Sequence, residues 1–414
     1  MSTVGIIAEF NPFHNGHRYL IEEAKRQTGA DTAIIIMSGD FVQRGEPAIC
    51  DKYLRTRFAL ENGADIVFEL PVRYATGSAA IFAEGAVSLL ASTNAVDYLA
   101  FGSECGDIEL IKKTAETLEK LEGSAEFKEK LADYLKAGLS FPSARTKAVE
   151  AVTADTPILN SPNNILAVEY CRALFRLKDS GHKLPKAVTI SRIGAGYSDS
   201  QPDNSDYPSA TAVRNLLCNS DSDTLTDIFN RILPPSVSAS VIANKGLCLP
   251  VISDDFSDIF FTRLNTLSDD YLRSISNINP DLMNSILNYR GCPVKILEMT
   301  AAIKSKAFTY TAISRAITAV LLSTPAVNSI AINPGTDKKK PYLRLLGFNK
   351  ASSNILKAIN KSGDCIIINK MADADRTNPL FLQDILAADI YSQVLYSKFG
   401  CKRAGEYCIS PIII

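Results

Sequence analysis

The sequence predicts an α/β fold in which a parallel sheet occupies the first half and a mostly helical region follows. Three observations carry that expectation. Short apolar runs alternate with segments of helical spacing over the first hundred residues, and turn residues sit where the runs end. Beyond Pro234-Pro235 the texture shifts to short helical segments broken by Asn, Ser and Gly. Strands alternating with helices in chain order build parallel sheets with right-handed crossovers. With 414 residues the chain is long enough for two domains, expected at 1–235 and 236–414.

Each element follows from its pattern. Residues 3–10 form an apolar strand ending in a turn, and 16–27 have helical spacing. A second buried strand is expected at 32–37, then a loop rich in turn residues and a helix over 51–62. A third strand follows at 65–70, a helix at 78–91 and a fourth strand at 96–101. From 107 to about 177 the pattern is helical, interrupted by the turn Ser161-Pro162-Asn163-Asn164. Residues 187–191 read as the last strand, followed by a polar loop over 194–208 and a helix over 209–218. Ligands of such sheets bind beyond the carboxyl ends of the strands. That rule directs attention to 11–17, 38–47, 69–71 and 102–104.

Composition narrows the function classes. Hydrophobic residues are 46% and charged residues 21%, the balance of a globular protein with a sizeable core. There is no basic n-region with a cleavage site, and no run approaches the ~18 apolar residues of a membrane span. The expectation is a cytoplasmic protein without membrane association. Nine cysteines are scattered singly with no CxxC pair, which argues for reduced packing residues over a disulfide framework or metal site. Net charge is −1, so no global attraction to nucleic acid exists.

Chemistry concentrates in one turn. Two of only three histidines, His14 and His17, flank Asn15 and Gly16 where the first strand meets the first helix. Glycine lets a phosphate approach the backbone, and a helix N-terminus presents free N–H groups and a positive dipole end. Two imidazoles there can donate to an α-phosphate as charge builds in the transition state. A satisfied surface or cap histidine would explain either one alone. A zinc site lacks a third obvious ligand.

The string His14-Asn15-Gly16-His17 resembles the signature of the HIGH-type nucleotidyltransferase superfamily, which implies a Rossmann-like sheet. The longer run Gly5-Ile6-Ile7-Ala8-Glu9-Phe10-Asn11-Pro12-Phe13-His14-Asn15-Gly16-His17 is more specific. With Met37-Ser38-Gly39-Asp40-Phe41-Val42-Gln43-Arg44-Gly45-Glu46-Pro47-Ala48, it resembles the tRNA(Met) cytidine acetate ligase family. Phe101-Gly102-Ser103-Glu104, Pro162-Asn163-Asn164-Ile165-Leu166, Ile190-Ser191-Arg192 and Ser209-Ala210-Thr211-Ala212-Val213-Arg214 match in the family's order. The resemblance implies an ATP-dependent ligase that makes acetyl-adenylate and then acetylates N4 of the wobble cytidine of elongator tRNA(Met). It implies that ATP lies along Ile7, Ala8, Glu9, Phe10, Asn11, Pro12, Phe13, His14, Asn15, Gly16, His17, Arg18, Tyr19 and Leu20. Gly102, Asn163 and Arg192 are implied as further ATP contacts. Magnesium is expected with the triphosphate, its ligand unknown.

Two further segments invite assignment. Ser209, Thr211 and Arg214 lie where relatives often carry a second phosphate-binding motif, and Arg can supply the charge that an absent Lys would have brought. A serine opening a helix is also an ordinary cap. The loop 38–47 suits the pocket of the second substrate or a magnesium ion, with Ser38, Gly39 and Arg44 as candidates for an acetate pocket. Asp40 has no partner visible in the sequence.

The second half is locally basic. Between Lys295 and Lys361 stand eleven basic residues against Glu298 and Asp337, a local charge of +9. Phe308, Tyr310, Tyr342 and Phe348 interleave with them, as stacking residues do in RNA-binding faces. A solvated basic surface over buried aromatics explains the charge equally well. Segments 310–316 and 341–348 resemble C-terminal parts of the same ligase family, which favours a tRNA-binding face. The alternative function is an adenylyltransferase moving AMP onto a small phosphorylated metabolite, which would leave the basic half unexplained.

Overall fold

The computed structural model describes residues 2–153, 157–193, 206–220, 222–325 and 340–414. Strand β1 (Thr3–Ala8) leads into helix α1 (Asn15–Thr28), followed by β2 (Thr32–Ser38). A short hairpin, β3 (Phe41–Val42) and β4 (Glu46–Pro47), precedes α2 (Lys52–Glu61) and β5 (Ile66–Leu70). Next come α3 (Val72–Ala75), α4 (Ala79–Ser92), β6 (Tyr98–Ser103), α5 (Ile108–Leu121), α6 (Ala125–Lys136) and α7 (Phe141–Val152). Helix α8 (Pro162–Arg176), β7 (Lys186–Ser191) and α9 (Ala210–Asn219) complete the first half. Strands β2 and β5 are buried along their whole length, as helices covering both faces of a parallel sheet require. The helices start on side-chain caps: Asp51 opens α2, Ser78 opens α4 and Asp107 opens α5.

The central strands run β5-β2-β1-β6-β7, all parallel. From β1 the chain winds outward through β2 to β5, then returns to the other side of β1 as β6. The order therefore reverses between β1 and β6, and their carboxyl ends open the crevice where such sheets bind ligands.

Residues 187–191 are not the last strand. Three more join the sheet from the second half: β8 (Tyr342–Phe348), β9 (Ile366–Ile368) and β10 (Ile412–Ile413). Strand β8 pairs antiparallel with β5, so the sheet is mostly and not wholly parallel. A division at residue 235 describes chain order, but the sheet draws strands from both sides of it. Between them, residues 235–322 are helical and share a core with the long helix Pro379–Phe399, including Phe256, Phe260, Val320, Tyr391 and Leu395.

The reading of a basic, aromatic RNA face needs correction at two residues. Arg344 is buried at the centre of β8, where it pairs with Glu69 at 3.1 Å and with Glu406. Tyr342 is also buried, and its hydroxyl donates to Asp384 at 2.5 Å. Both face the core because β8 is covered on its two sides. Phe308 and Phe348 pack against apolar clusters. Lys295, Lys304, Lys306, Lys340, Lys350, Lys357 and Lys361 remain exposed, whereas Lys338 and Lys339 lie outside the described residues, as does 194–205 of the expected polar loop.

Arg344 belongs to a buried ionic cluster. Lys52, fully enclosed, lies 2.9 Å from Glu69, 3.2 Å from Glu406 and 3.7 Å from Asp40. Tyr53 donates its hydroxyl to Glu406 at 3.0 Å. All nine cysteines are free. Among the described residues no helix is long and apolar enough to cross a membrane.

Candidate active site

The site begins where β1 stops. Phe10 takes a left-handed φ of 49°, and the Asn11-Pro12 peptide is cis, so the chain turns sharply before α1. Phe10 and Phe13 are fully buried with ring centroids 4.9 Å apart and anchor the turn from below. Asn11 ties it sideways: its Oδ1 accepts the Ile49 N–H at 2.7 Å, and its carbonyl accepts Arg214 Nη1 at 2.9 Å. From α2, the buried Arg55 donates to the carbonyls of Glu9 at 2.7 Å and Ser38 at 3.0 Å, and also to that of Gly39. One guanidinium thus fixes the ends of β1 and β2 together.

The two histidines cap α1 reciprocally. His14 Nδ1 accepts the Gly16 N–H at 3.1 Å, while the His14 N–H donates to His17 Nδ1 at 3.2 Å. With each Nδ1 accepting, the ring proton of each neutral imidazole resides on Nε2. The rings stack with centroids 3.8 Å apart. Burial, assisted by Arg192 and Arg214, pushes the His14 imidazole down to about 3. His17 is likewise held well below its usual value by burial, by His14 and by Arg192. Both rings are therefore neutral Nε2–H donors near neutral pH, set among arginines. That suits an anion whose charge grows during reaction.

Other elements complete the walls. Glu9, beside the turn, accepts the Gln43 N–H on Oε1 at 2.6 Å, which joins it to the β3–β4 loop. That loop contributes Val42, Gln43, Arg44 and Glu46. At its tip Gly45 has φ 74°, and a Cβ there would stand 2.3 Å from the Arg315 backbone nitrogen, so only glycine fits. Thr318 donates to the Gly45 carbonyl at 2.7 Å, so the helix Tyr310–Leu322 holds the loop from behind. On the opposite side, Gly102 stands one residue before the end of β6, and Arg192 follows β7, its N–H donating to the Ser103 carbonyl at 3.1 Å. Glu104 caps α8, taking the Asn163 side-chain amide at 2.7 Å and the Asn164 N–H at 2.8 Å. Thr211 and Arg214 of α9 close the site, with Arg214 Nη2 donating to Thr211 Oγ1 at 3.2 Å.

The structure brings most of the expected residues together in this one cavity. Ile7, Ala8, Glu9, Phe10, Asn11, His14, His17, Leu20, Arg44, Gly102, Asn163, Arg192, Thr211 and Arg214 line it. Others lie elsewhere. Pro12 and Phe13 are buried beneath the turn, and Gly16 serves the cap. Asn15 points away, donating to the carbonyls of Asp206 and Arg231. Arg18 is exposed and pairs with Glu22, while Tyr19 packs against Tyr207. Ser209 caps α9 by accepting the Ala212 N–H at 3.0 Å, the ordinary alternative for a serine there. Ser38 and Gly39 sit behind the wall, Gly39 pressed against Glu69 and both carbonyls held by Arg55. Asp40 is buried, accepting the Lys52 N–H at 2.8 Å. Sequence reasoning did not assign the apolar wall of Phe82, Phe101, Leu166 and Tyr170 to the site: Phe101 and Leu166 stand in family-matching segments, but Phe82 and Tyr170 carry no motif.

Comparison with known proteins bears on the same geometry. The family model described as HIGH Nucleotidyl Transferase matches residues 1–406. A Clostridium perfringens protein named tRNA(Met) cytidine acetate ligase is 39% identical over 100% of both chains. A Caldicellulosiruptor bescii protein of the same name is 37% identical over 100% of this chain and 99% of its own. The chain belongs to the tRNA(Met) cytidine acetate ligase family. A crystal structure of Thermotoga maritima TmcAL bound with alpha-thio ATP superposes with a TM-score of 0.84, at 29% identity and 100% coverage of both chains. The apo form of that protein gives 0.87 at 28% identity, again over 100% of both chains. In this ligase-family chain the His14-Asn15-Gly16-His17 string occupies the first strand-to-helix turn, beside the switch point of the sheet. Among the described residues no group of three or more His, Cys, Asp or Glu side chains is arranged to hold a metal ion.

Proposed function

We propose that this chain uses ATP to convert acetate to acetyl-adenylate and then acetylates N4 of the wobble cytidine of elongator tRNA(Met). The observation that carries the reading is the pair of neutral, Nε2–H-donating imidazoles set among Arg44, Arg192 and Arg214 at the switch point. They occur in a chain 39% identical, end to end, to a protein named for this activity. In the first half-reaction an acetate oxygen attacks the α-phosphorus in line, and pyrophosphate leaves. That step needs no proton transfer. It needs donors aimed at a crowded, negatively charged phosphorus, which His14 and His17 supply. Arg214, fixed to the turn through Asn11, and Arg192 are suited to the departing pyrophosphate. Arg44 is suited to the acetate carboxylate. In the second half-reaction cytidine N4 attacks the acyl carbon and AMP leaves.

Magnesium would enter with the triphosphate, carried by phosphate oxygens and water, since the described residues offer no ready-made cluster for it. The exposed lysines of the second half, Lys295, Lys304, Lys306, Lys340, Lys350, Lys357 and Lys361, are suited to tRNA phosphates. ATP, acetate and tRNA meet in the cytoplasm, which is where this reading puts the enzyme. Transfer of AMP to a small phosphorylated metabolite is not favoured, because the full-length relatives are named as acetate ligases.

The test is incorporation of labelled acetate into tRNA by the purified protein, with and without ATP. Label is expected only with ATP, falling by about 10²–10³-fold in His17→Ala, and tRNA retention is expected to fall steeply with salt. ATP-dependent label release without transfer to tRNA would point to a different acceptor.

A further inference from the structure

We propose that Glu9 is the general base that takes the proton from cytidine N4 during acetyl transfer. The proposal rests on the acetate-ligase reading above and assigns a step that the reading leaves without a residue. When N4 attacks acetyl-adenylate, its lone pair forms the C–N bond and the acyl C–O bond breaks, its electron pair leaving with AMP. The nitrogen, cationic after attack, must give up a proton. AMP leaves as a stable phosphate and has no need of that proton, so a side chain or water must accept it.

The cavity contains few groups able to do so. Arg44, Arg192 and Arg214 line it, but guanidinium stays protonated in proteins. His14 and His17 each present an Nε2–H, their Nδ1 atoms being occupied as acceptors of backbone N–H groups. Both rings resist protonation through burial and neighbouring arginines. Tyr170 offers a phenol, which is not a base near neutral pH. Among the described residues that line the cavity, two carboxylates remain. Glu46 shares a side-chain hydrogen bond with Tyr310, which draws it toward the helix behind the loop.

Glu9 differs. It is anchored at one oxygen only, by the Gln43 N–H at 2.6 Å, and its carbonyl is fixed by Arg55 at 2.7 Å. Glu9 lines the cavity, and among the described residues its second oxygen has no hydrogen-bond partner. The anchor sets the direction of the carboxylate without saturating it. The charged groups facing it are Arg214 from α9, Arg44 from the β3–β4 loop and Arg55 from α2, all cationic. Burial raises its affinity for a proton above that of an ordinary glutamate, and the Gln43 N–H and these three guanidinium groups oppose that rise. A base so tuned accepts a proton more readily than a solvent-exposed carboxylate does.

The experiment compares wild type, Glu9→Gln and Glu46→Gln in two assays. Acetate-dependent ATP–pyrophosphate exchange reads the first half-reaction. Single-turnover transfer from acetyl-adenylate to elongator tRNA(Met), followed between about pH 5 and 9, reads the second. Glu9→Gln is expected to lower transfer about 100-fold or more beyond any loss of exchange, and to abolish the rise of transfer with pH. Glu46→Gln is expected to keep that rise. Transfer by Glu9→Gln at the wild-type rate overturns the assignment, as does an equal loss in both assays, which would mark Glu9 as a residue of the nucleotide site. If Glu46→Gln alone removes the pH-dependent rise, the base is Glu46. A wild-type protein with no acetate-dependent exchange overturns the underlying reading and the assignment with it.

Discussion

At the scale of single residues, the site depends on what its histidines are prevented from doing. Because each Nδ1 is occupied and burial penalises the charged ring, neither imidazole gains a proton as pH falls through the usual histidine range. The linkage has a definite sign. The folded-state value of His14 is depressed from 6.5 to about 3, so the unfolded chain binds the proton first. The stabilisation is present above about pH 6.5 and is lost as pH falls toward 3. For His14 it is on the order of a few kcal/mol. Urea-unfolding midpoints between about pH 7 and 5 should therefore decline in wild type and decline less in His17→Gln. Over the same range acetate-dependent exchange should show no inflection near 6.5, since the donors do not change state. This turn was legible in the sequence because its chemistry is local, with cap, glycine and both rings inside four consecutive residues. Tyr170 and Phe82 were not legible. They look like core until tertiary packing turns one edge of each toward the cavity.

The element that answers most directly to its neighbours is the β3–β4 loop. It carries Gln43, Arg44 and Glu46 to the site, yet it is held from outside by the helix Tyr310–Leu322. The contact at Gly45 is backbone against backbone, with no flexible side chain to yield. Gly45→Ala is thus expected to displace the loop, with a loss of about 1–3 kcal/mol in unfolding free energy from the positive φ and the clash. Acetate-dependent exchange should fall with it. Thr318→Val, which removes one hydrogen bond of about 1 kcal/mol, should cost less on both measures. A Gly45→Ala protein with wild-type exchange would sink this account. The loop's position after β2 was readable from the rule for parallel sheets. Its dependence on a helix about 270 residues further along the chain was not, because no local pattern encodes that contact.

For the molecule as a whole, the buried ionic cluster is the joint between the two halves of the chain. Lys52 and Glu69 come from the first half, Arg344 and Glu406 from the second. Removing one partner strands the others without water, so Lys52→Met should lower unfolding free energy by about 3–5 kcal/mol, measured by urea denaturation. Although burial opposes it, Lys52 and Arg344 hold the Glu406 carboxyl down at about 2. Its stabilisation is accordingly complete above about pH 4.5 and drains away as pH falls toward 2. The sequence concealed this joint. Arg344 stands in a run of basic residues and reads as surface charge, because the carboxylates that neutralise it are distant in the chain. The same misreading hid β8, a strand with a cation at its centre.

The antiparallel seat of β8 against β5 also bears on how the protein is made. A ribosome delivers β5 early and β8 only after most of the chain has emerged, so the nascent sheet waits with one bare edge of unpaired N–H and C=O groups. Until Tyr342–Phe348 leaves the exit tunnel, Lys52 and Glu69 also lack two of their charged neighbours. Completion of the nucleotide-binding sheet is therefore a late event in synthesis, and a chain that terminates prematurely would expose a sticky edge rather than a working half-enzyme.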